Sequence, residues 1–351
     1  MEGGEGAEGS STCGRNWEDL SRDVLILIFL KLGMMQVLTA AGSVCRSWRK
    51  VAKEEPVFWR RINMIDNRYF GFGNWYGSKL IHATRIAIDR SGGQLEEFAV
   101  KYFADDEMLR YLCDRTSVLK KLVLVSCAQL SAEAIAQTAK RQPLLEEIEI
   151  EFGPFSEQLT EIVGTACPCL KSFKLNHTRY NMPPLDPDIE EEITSNDDEA
   201  LGIAKTMHQL RHLELIGNRL TNEGLTAILD GCPHLETLDA TKCYYVTTDA
   251  DMYARCARLQ SVSFICLSDY GLNSHCDDDE YIDELDPAYH NYDHINEVDP
   301  AYDNDDHINE LDPQTINQGF LDFVSGLKNL FIKTVFTAKR WCTSQESKGP
   351  F

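Results

Sequence analysis

The sequence predicts an α/β chain built in two parts. A small all-helical module comes first, and a leucine-rich-repeat solenoid follows, with parallel strands on its concave side and helices on its convex side. Three observations carry this. The frame L-x-x-L-x-L recurs at a nearly constant interval, the stretches between copies are apolar at helical spacing, and residues 15–61, ahead of the first copy, keep a helical period.

Residues 1–14 are mostly Gly, Glu and Ser, without a basic start or an apolar stretch, so they read as a disordered N-terminus and not as a secretory signal. Residues 15–61 form the helical module. Trp17 and Leu20 lead into Val24, Leu25, Ile28, Phe29 and Leu32, with Ser21 and Asp23 marking a helix start and Gly33 its end. Val37 and Leu38, then Val44-Cys45-Arg46-Ser47-Trp48-Arg49, then Pro56-Val57-Phe58-Trp59 complete three short helices. A module this small buries too little apolar surface to be stable alone. Its spare apolar residues fit docking on a partner or capping the solenoid. Residues 62–94 read as a linker and a joining helix. In the linker, Phe70, Phe72, Trp75 and Tyr76 fit a packed seam or, as the alternative, a ligand surface. Residues 80–88 supply the helix, which stops at Ser91-Gly92-Gly93.

From 95 to 272 the leucine frame repeats. Leu119-Lys120-Lys121-Leu122-Val123-Leu124 fits it in full, further copies start at Leu145, Leu170, Leu210 and Leu235, and weaker ones start at Leu95 and Leu259. The starting positions step by 24, 26, 25, 40, 25 and 24 residues. Such regularity is the mark of one strand and one helix per coil. Stretches 132–139, 159–166, 201–207, 225–229 and 252–257 supply the helices. One strand–helix unit cannot bury its own apolar face, so stacked coils share one core. The interval of 40 is an ordinary one plus about 15 residues, and it holds the acidic insertion 181–200.

Five of the 12 cysteines belong to the same frame. Cys167, Cys232 and Cys256 stand three residues before a repeat's first Leu, and Cys127 and Cys243 stand eight after one. Thiols at equivalent sites read as small buried side chains. Cys167-Pro168-Cys169 has no second Cys or His pair at ligand spacing, so no metal is assigned. Without a secretory signal, the 12 cysteines are expected reduced, inside the cell.

The formal net charge is −22, but eight carboxylates lie in 181–200 and fifteen in 276–313, neither with a Lys or Arg. What remains has 33 acidic and 34 basic residues, so it lacks the basic footprint of a nucleic-acid binder. The longest apolar run, 24–30, is seven residues, short of the roughly 20 that cross a bilayer. Residues 273–319 form an acidic tail of period 13. Glu284-Leu285-Asp286-Pro287-Ala288-Tyr289 returns at Glu297 and begins again at Glu310. Its like charges and prolines predict disorder. Asp303, Asp305 and Asp306 lack the ligand order of a calcium loop. In 320–351, an amphipathic stretch over 320–341 fits back-docking on the solenoid, a membrane-surface helix, or an atypical end to the chain.

Trp17-x-x-Leu20, an apolar helix ending Ile28-Phe29-x-x-Leu32, and Val44-Cys45-Arg46-Ser47-Trp48-Arg49 together resemble the F-box motif, with Ser21 where that family usually has Pro. With Cys-bearing repeats behind it, the chain resembles the plant F-box/LRR proteins over about residues 15–270. The resemblance implies the substrate-recognition subunit of an SCF-type (Skp–cullin–F-box) ubiquitin ligase. The F-box would dock on a Skp-type adaptor, and through it on cullin and RING subunits, while the repeats hold the protein to be ubiquitinated. No catalytic residue and no cofactor are expected in such a receptor, and its place is the nucleus or cytoplasm. Leu20, Val24, Ile28, Leu32, Val44 and Trp48 match the family's adaptor-facing positions, although some of them must hold the helices together. The competing reading is a repeat scaffold outside ubiquitin chemistry whose N-terminal helices bind another partner. Phosphate-loop, dinucleotide, zinc-protease and serine-hydrolase motifs are all missing.

Within the repeat frame, residues alternating with the core leucines face the concave side. They are Glu147, Glu149 and Glu151, then Lys174 and Asn176, then His212 and Glu214, then Thr237 and Asp239. This acidic patch is expected to hold a basic segment of a protein substrate. The plainer reading is an ordinary solvated sheet face.

Overall fold

The computed structural model describes residues 19–65, 76–153, 158–177 and 196–264. Expectations placed on Trp17, on Phe70, Phe72 and Trp75, on 181–195, on the acidic tail and on 320–341 lie outside the described residues. Two compact units divide between Glu55 and Pro56.

In the first unit, α1 (Arg22–Leu32) begins where the Ser21 hydroxyl accepts the Val24 amide at 3.5 Å, and it ends at Gly33, whose φ of 89° suits a residue without Cβ. The chain then passes through α2 (Met34–Gln36), a π turn (Val37–Ala41) and α3 (Gly42–Val44) into α4 (Arg46–Glu54). Leu25, Ile28, Phe29, Val37, Leu38, Trp48, Val51 and Ala52 fill the core. Phe29 and Trp48 meet edge to face with centroids 5.3 Å apart, a favoured arrangement for aromatic pairs. Arg22 pairs with Glu55, and Arg49 Nε donates to the Gly42 carbonyl at 2.8 Å, tying α4 back to the start of α3.

The second unit is the solenoid. In chain order it runs β1 (Arg61–Met64), α5 (Tyr76–Arg90), β2 (Glu97–Lys101), α6 (Asp106–Arg115), β3 (Lys121–Val125), α7 (Ala132–Arg141), β4 (Glu147–Glu151) and α8 (Leu159–Ala166). It continues with β5 (Ser172–Asn176), α9 (Asp198–Thr206), β6 (His212–Ile216), α10 (Asn222–Gly231), β7 (Thr237–Asp239), α11 (Ala250–Cys256) and β8 (Ser261–Ser263). The strands form one sheet in sequence order, every neighbouring pair parallel. Ile62, Phe98, Leu122, Ile148, Phe173, Leu213, Leu238 and Val262 stand in register across it. Core leucines therefore stack in rows, as the repeat frame requires.

The sheet starts one coil earlier than that frame predicts. Trp59, Ile62 and Met64 are fully buried and hold the three core positions, with Trp where the other coils have Leu. α5 is then the helix of this first coil and not merely a joining helix. Arg90, its last residue, places its guanidinium 5.1 Å from the centre of the Trp59 ring. Polar Arg61 and Asn63 alternate with the two apolar residues, so the pairing with β2 keeps the pleat.

Residues just past the strands donate across coils. The amides of Tyr102, Ser126, Phe152, His177 and Gly217 reach the carbonyls of Val125, Glu151, Asn176, Ile216 and Thr241 at 2.8–3.1 Å. Four of the five are left-handed, with φ of 79°, 51°, 51° and 64° at Tyr102, Ser126, Phe152 and Gly217, yet only Gly217 is a glycine. The cross-coil bonds hold the other three there against their local preference.

The repeat cysteines sit where the frame places them. The Cys167 thiol lies 3.7 Å from the Ala139 carbonyl, Cys232 lies 3.5 Å from Met207 O, and Cys243 lies 2.8 Å from Leu215 O. Burial pushes the Cys127 and Cys232 thiols up to about 11, and those of Cys167 and Cys243 to about 12. The thiolate is the reactive form. Iodoacetamide at pH 8 is therefore expected to label exposed Cys169 within minutes and to leave those four unmodified until denaturant is added. Mass spectrometry of the labelled peptides checks this, and native labelling of Cys167 at the rate of Cys169 would contradict it.

Candidate functional site

Six residues of the helical module match an adaptor-facing pattern, and the fold sorts them. Ile28 and Trp48 are 3% and 2% exposed and serve the module's own core. Leu20, Val24 and Leu32 are half-buried, and Val44 is 49% exposed. Two residues missed by sequence reasoning stand out more: Leu27 and Leu30, exposed 48% and 51%. Val24, Leu27 and Leu30 follow one another at three-residue steps, so they share one side of α1. That spacing was visible in the sequence. The continuous apolar run 24–30 hid it, because no polar residue marked which side faces out.

The solenoid's second candidate surface is the face of the sheet opposite the helices. Core and surface residues alternate strictly in β4 and β5, and the nine predicted residues fall into three cross-strand rows. Glu147, Ser172, His212 and Thr237 form the first row, and Glu149, Lys174, Glu214 and Asp239 the second. Glu151, Asn176 and Ile216 form the third. Ion pairs missed by sequence reasoning neutralise part of this face. Lys121 holds Glu147 at 2.7 Å, and Arg61 holds Glu97 at 3.0 Å. His212 Nδ1 lies 3.0 Å from the Thr237 hydroxyl.

The second row is different. Lys174 Nζ sits 2.5 Å from Glu151, 3.2 Å from Glu149 and 3.5 Å from Glu214. Asp239 adds a further carboxylate beside Glu214 and accepts the Thr241 amide at 2.9 Å. One ammonium thus faces several carboxylates, and negative charge is left over. Burial alone would pull Lys174 down, but hydrogen bonds and charge from Glu151 and Glu149 outweigh it and hold the ammonium above its ordinary value. Burial pushes Glu149 up, with Glu151 adding to the rise and Lys174 opposing it.

The rise at Glu149 has a sign that stability can read. Its folded carboxyl keeps a proton over a pH window, starting near the ordinary 4.5, in which the unfolded chain has released it. Stability therefore falls as pH climbs through that window and stays lower at neutral pH. Glu149→Gln keeps an acceptor for Lys174 and is expected to raise Tm at pH 7 by about 1–2 °C while leaving it unchanged at pH 4. A fall at pH 7 would mean that the attraction of Lys174 outweighs burial.

Towards the N-terminal end the same face turns apolar. Ala99, Val123 and Val125 form a buried cluster, against which Ile65 packs. Val123 is 3% exposed although it occupies the row of Glu149 and Lys174. No group of metal-ligating side chains occurs among the described residues, and none of their helices is long and apolar enough to cross a membrane.

A family model described as F-box-like matches residues 17–65, which span the helical module and β1. The chain is 36% identical to F-box protein SKIP19 of Arabidopsis thaliana over 271 residues, 76% of this chain and 83% of that protein. It belongs to the plant F-box/LRR-repeat proteins. F-box/LRR-repeat protein 23 of the same plant is 40% identical over 242 residues, but this F-box/LRR chain spans only 51% of its length. The yeast Rad7–Elc1 crystal structure superposes with a TM-score of 0.37 at 15% identity, over 55% of this chain and 60% of that one, too loosely to carry an argument.

Proposed function

We propose that this F-box/LRR-repeat protein is the non-catalytic substrate-recognition subunit of an SCF-type ubiquitin ligase. Its F-box helices dock on a Skp-type adaptor, and through it on cullin and RING subunits. The open face of the sheet holds the protein to be ubiquitinated. The observation that carries the reading is the set of apolar side chains left outside a filled core in the F-box module, namely Leu27, Leu30 and Val44. Half-buried Leu20, Val24 and Leu32 flank them in this reading. Holding a target beside the ubiquitin-charged enzyme raises its effective concentration there, and that is the whole of the chemical contribution expected from the receptor.

The test is capture of the full chain by a purified Skp-type adaptor. Leu30→Asp and Val44→Asp are each expected to weaken it at least about tenfold without loss of helix content, as removal of central apolar contacts does. If neither change weakens capture, the reading falls, and a repeat scaffold with another partner takes its place.

The target-holding face is assigned to Glu147, Glu149, Glu151, Lys174, Asn176, His212, Glu214, Thr237 and Asp239, with a basic segment of the target as its occupant. The uncompensated carboxylates around Lys174 support this. Reversing Glu149, Glu214 and Asp239 to Lys is expected to abolish binding of a lysine-rich peptide, whose affinity for the wild type should fall as salt rises. Unchanged peptide binding by the triple variant would leave an ordinary solvated face as the better account.

A further inference from the structure

We infer that His177, Glu199 and Asn218 form a buried polar clasp that fastens both ends of the segment 178–195, which carries most of the acidic insertion, to the exit of β6, so that the fold of this coil does not depend on that segment. His177 donates its amide to Ile216 O at 2.8 Å, the same cross-coil bond that Tyr102, Ser126, Phe152 and Gly217 make, so the chain enters the insertion in the ordinary register. At the other end, Asn196 N reaches Arg219 O at 3.0 Å, and Asp197 accepts from the amide and hydroxyl of Thr221, both at 2.7 Å. Asp106 accepts from Ser131 in the same way, at 2.7 and 2.8 Å, so the aspartate contact is a feature of the repeat. The clasp is what this coil adds.

Its centre is one carboxylate oxygen. Glu199 Oε2, in the first turn of α9, accepts from Asn218 Nδ2 at 2.6 Å and lies 3.2 Å from His177 Nε2. Asn218 Oδ1 in turn accepts the Leu220 amide at 2.9 Å. Among the described residues, His177 is the only His, Lys, Arg, Asp or Glu in the buried class, and Asn218 is buried beside it. Polar groups so placed are costly unless they find partners. Here the shared partner is the α9 carboxylate, which accepts from Asn218 of the next coil and stands at ion-pair distance from His177 Nε2 without the geometry of a hydrogen bond. Six residues, 126–131, connect β3 to α7, whereas 177–197 connect β5 to α9. Deleting 180–194 leaves six residues and spares the whole clasp.

Hydrogen–deuterium exchange of the full chain, read by mass spectrometry, tests the inference. The 180–194 deletion is expected to keep wild-type protection in α9 and in β6. Glu199→Ala, with the insertion intact, is expected to speed exchange there about tenfold or more while β2–β4 keep theirs. If Glu199→Ala lowers protection throughout the solenoid, the milder Asn218→Ser is read by the same criteria. The inference is overturned if the variant used leaves exchange in α9 unchanged, or if the deletion speeds it as much as the variant does. It stands apart from the ubiquitin-ligase reading, because no partner enters the measurement.

Discussion

Trp48→Ala is expected to unfold the F-box module, whereas Leu30→Asp leaves it folded. The Trp48 indole is buried in a unit whose core is a handful of side chains, and it meets Phe29 edge to face. Truncating a buried aromatic to alanine costs about 3–5 kcal/mol. A small domain has about that much stability in total. Far-ultraviolet circular dichroism and urea unfolding should therefore show lost helix and no separate transition for the module. Solenoid unfolding should stay close to wild type, because the sheet from Trp59 onward has its own continuous core. Ile28→Asp should act like Trp48→Ala, since an unpaired carboxylate in that core has no donor waiting for it. Both variants would also lose an adaptor, but only through the fold. A folded module that binds with Trp48→Ala would show that the aromatic pair does not hold α1 to α4.

The contrast shows why the proposed docking residues were only half legible. A sequence pattern marks apolar positions, but burial decides which of them a module keeps for itself. Ile28 and Trp48 look like contact residues in a motif and prove to be core. Leu27 and Leu30 look like core within an apolar run and prove to be exposed.

The solenoid was legible for the opposite reason. Its period of about 25 repeats the same physical demand seven times, so a weak copy such as Leu259, Val262 and Phe264 is fixed by its neighbours. The first coil escaped because Trp59-x-x-Ile62-x-Met64 contains no Leu and stands 36 residues before Leu95. The charge balance of the open face escaped because it is set between strands. Lys121 neutralises Glu147 across 26 residues of sequence, and Lys174 gathers Glu149, Glu151 and Glu214 from both sides. Only register brings those pairs together, and register follows from stacking the coils.

Gly231→Ala is expected to destabilise the solenoid, against the local preference of the residue. Alanine is the better helix former by about 1 kcal/mol in a helix interior, so propensity alone predicts a gain or no change. Gly231 ends α10, and a Cβ there would press on the backbone carbonyl of Ala204 in α9 and come within 2.8 Å of its Cα and carbonyl carbon. Backbone has no rotamer to give. At Gly202, by contrast, the one atom closer than 3.0 Å is the Thr160 hydroxyl oxygen, which has a rotamer to change. Around Gly231 the helix ends are also tied down. His208 Nδ1 lies 2.8 Å from the Gly231 carbonyl, and Arg258 donates to the carbonyls of Leu229 and Cys232 at 2.6 and 3.1 Å. Overpacking of a fixed contact costs about 1–3 kcal/mol, which exceeds the propensity term. For a unit of this size that is a fall of roughly 3–10 °C in Tm. Differential scanning calorimetry of Gly231→Ala beside Gly202→Ala separates the two effects. A rise in Tm for Gly231→Ala would mean that α9 and α10 stand further apart than their close backbone approach implies.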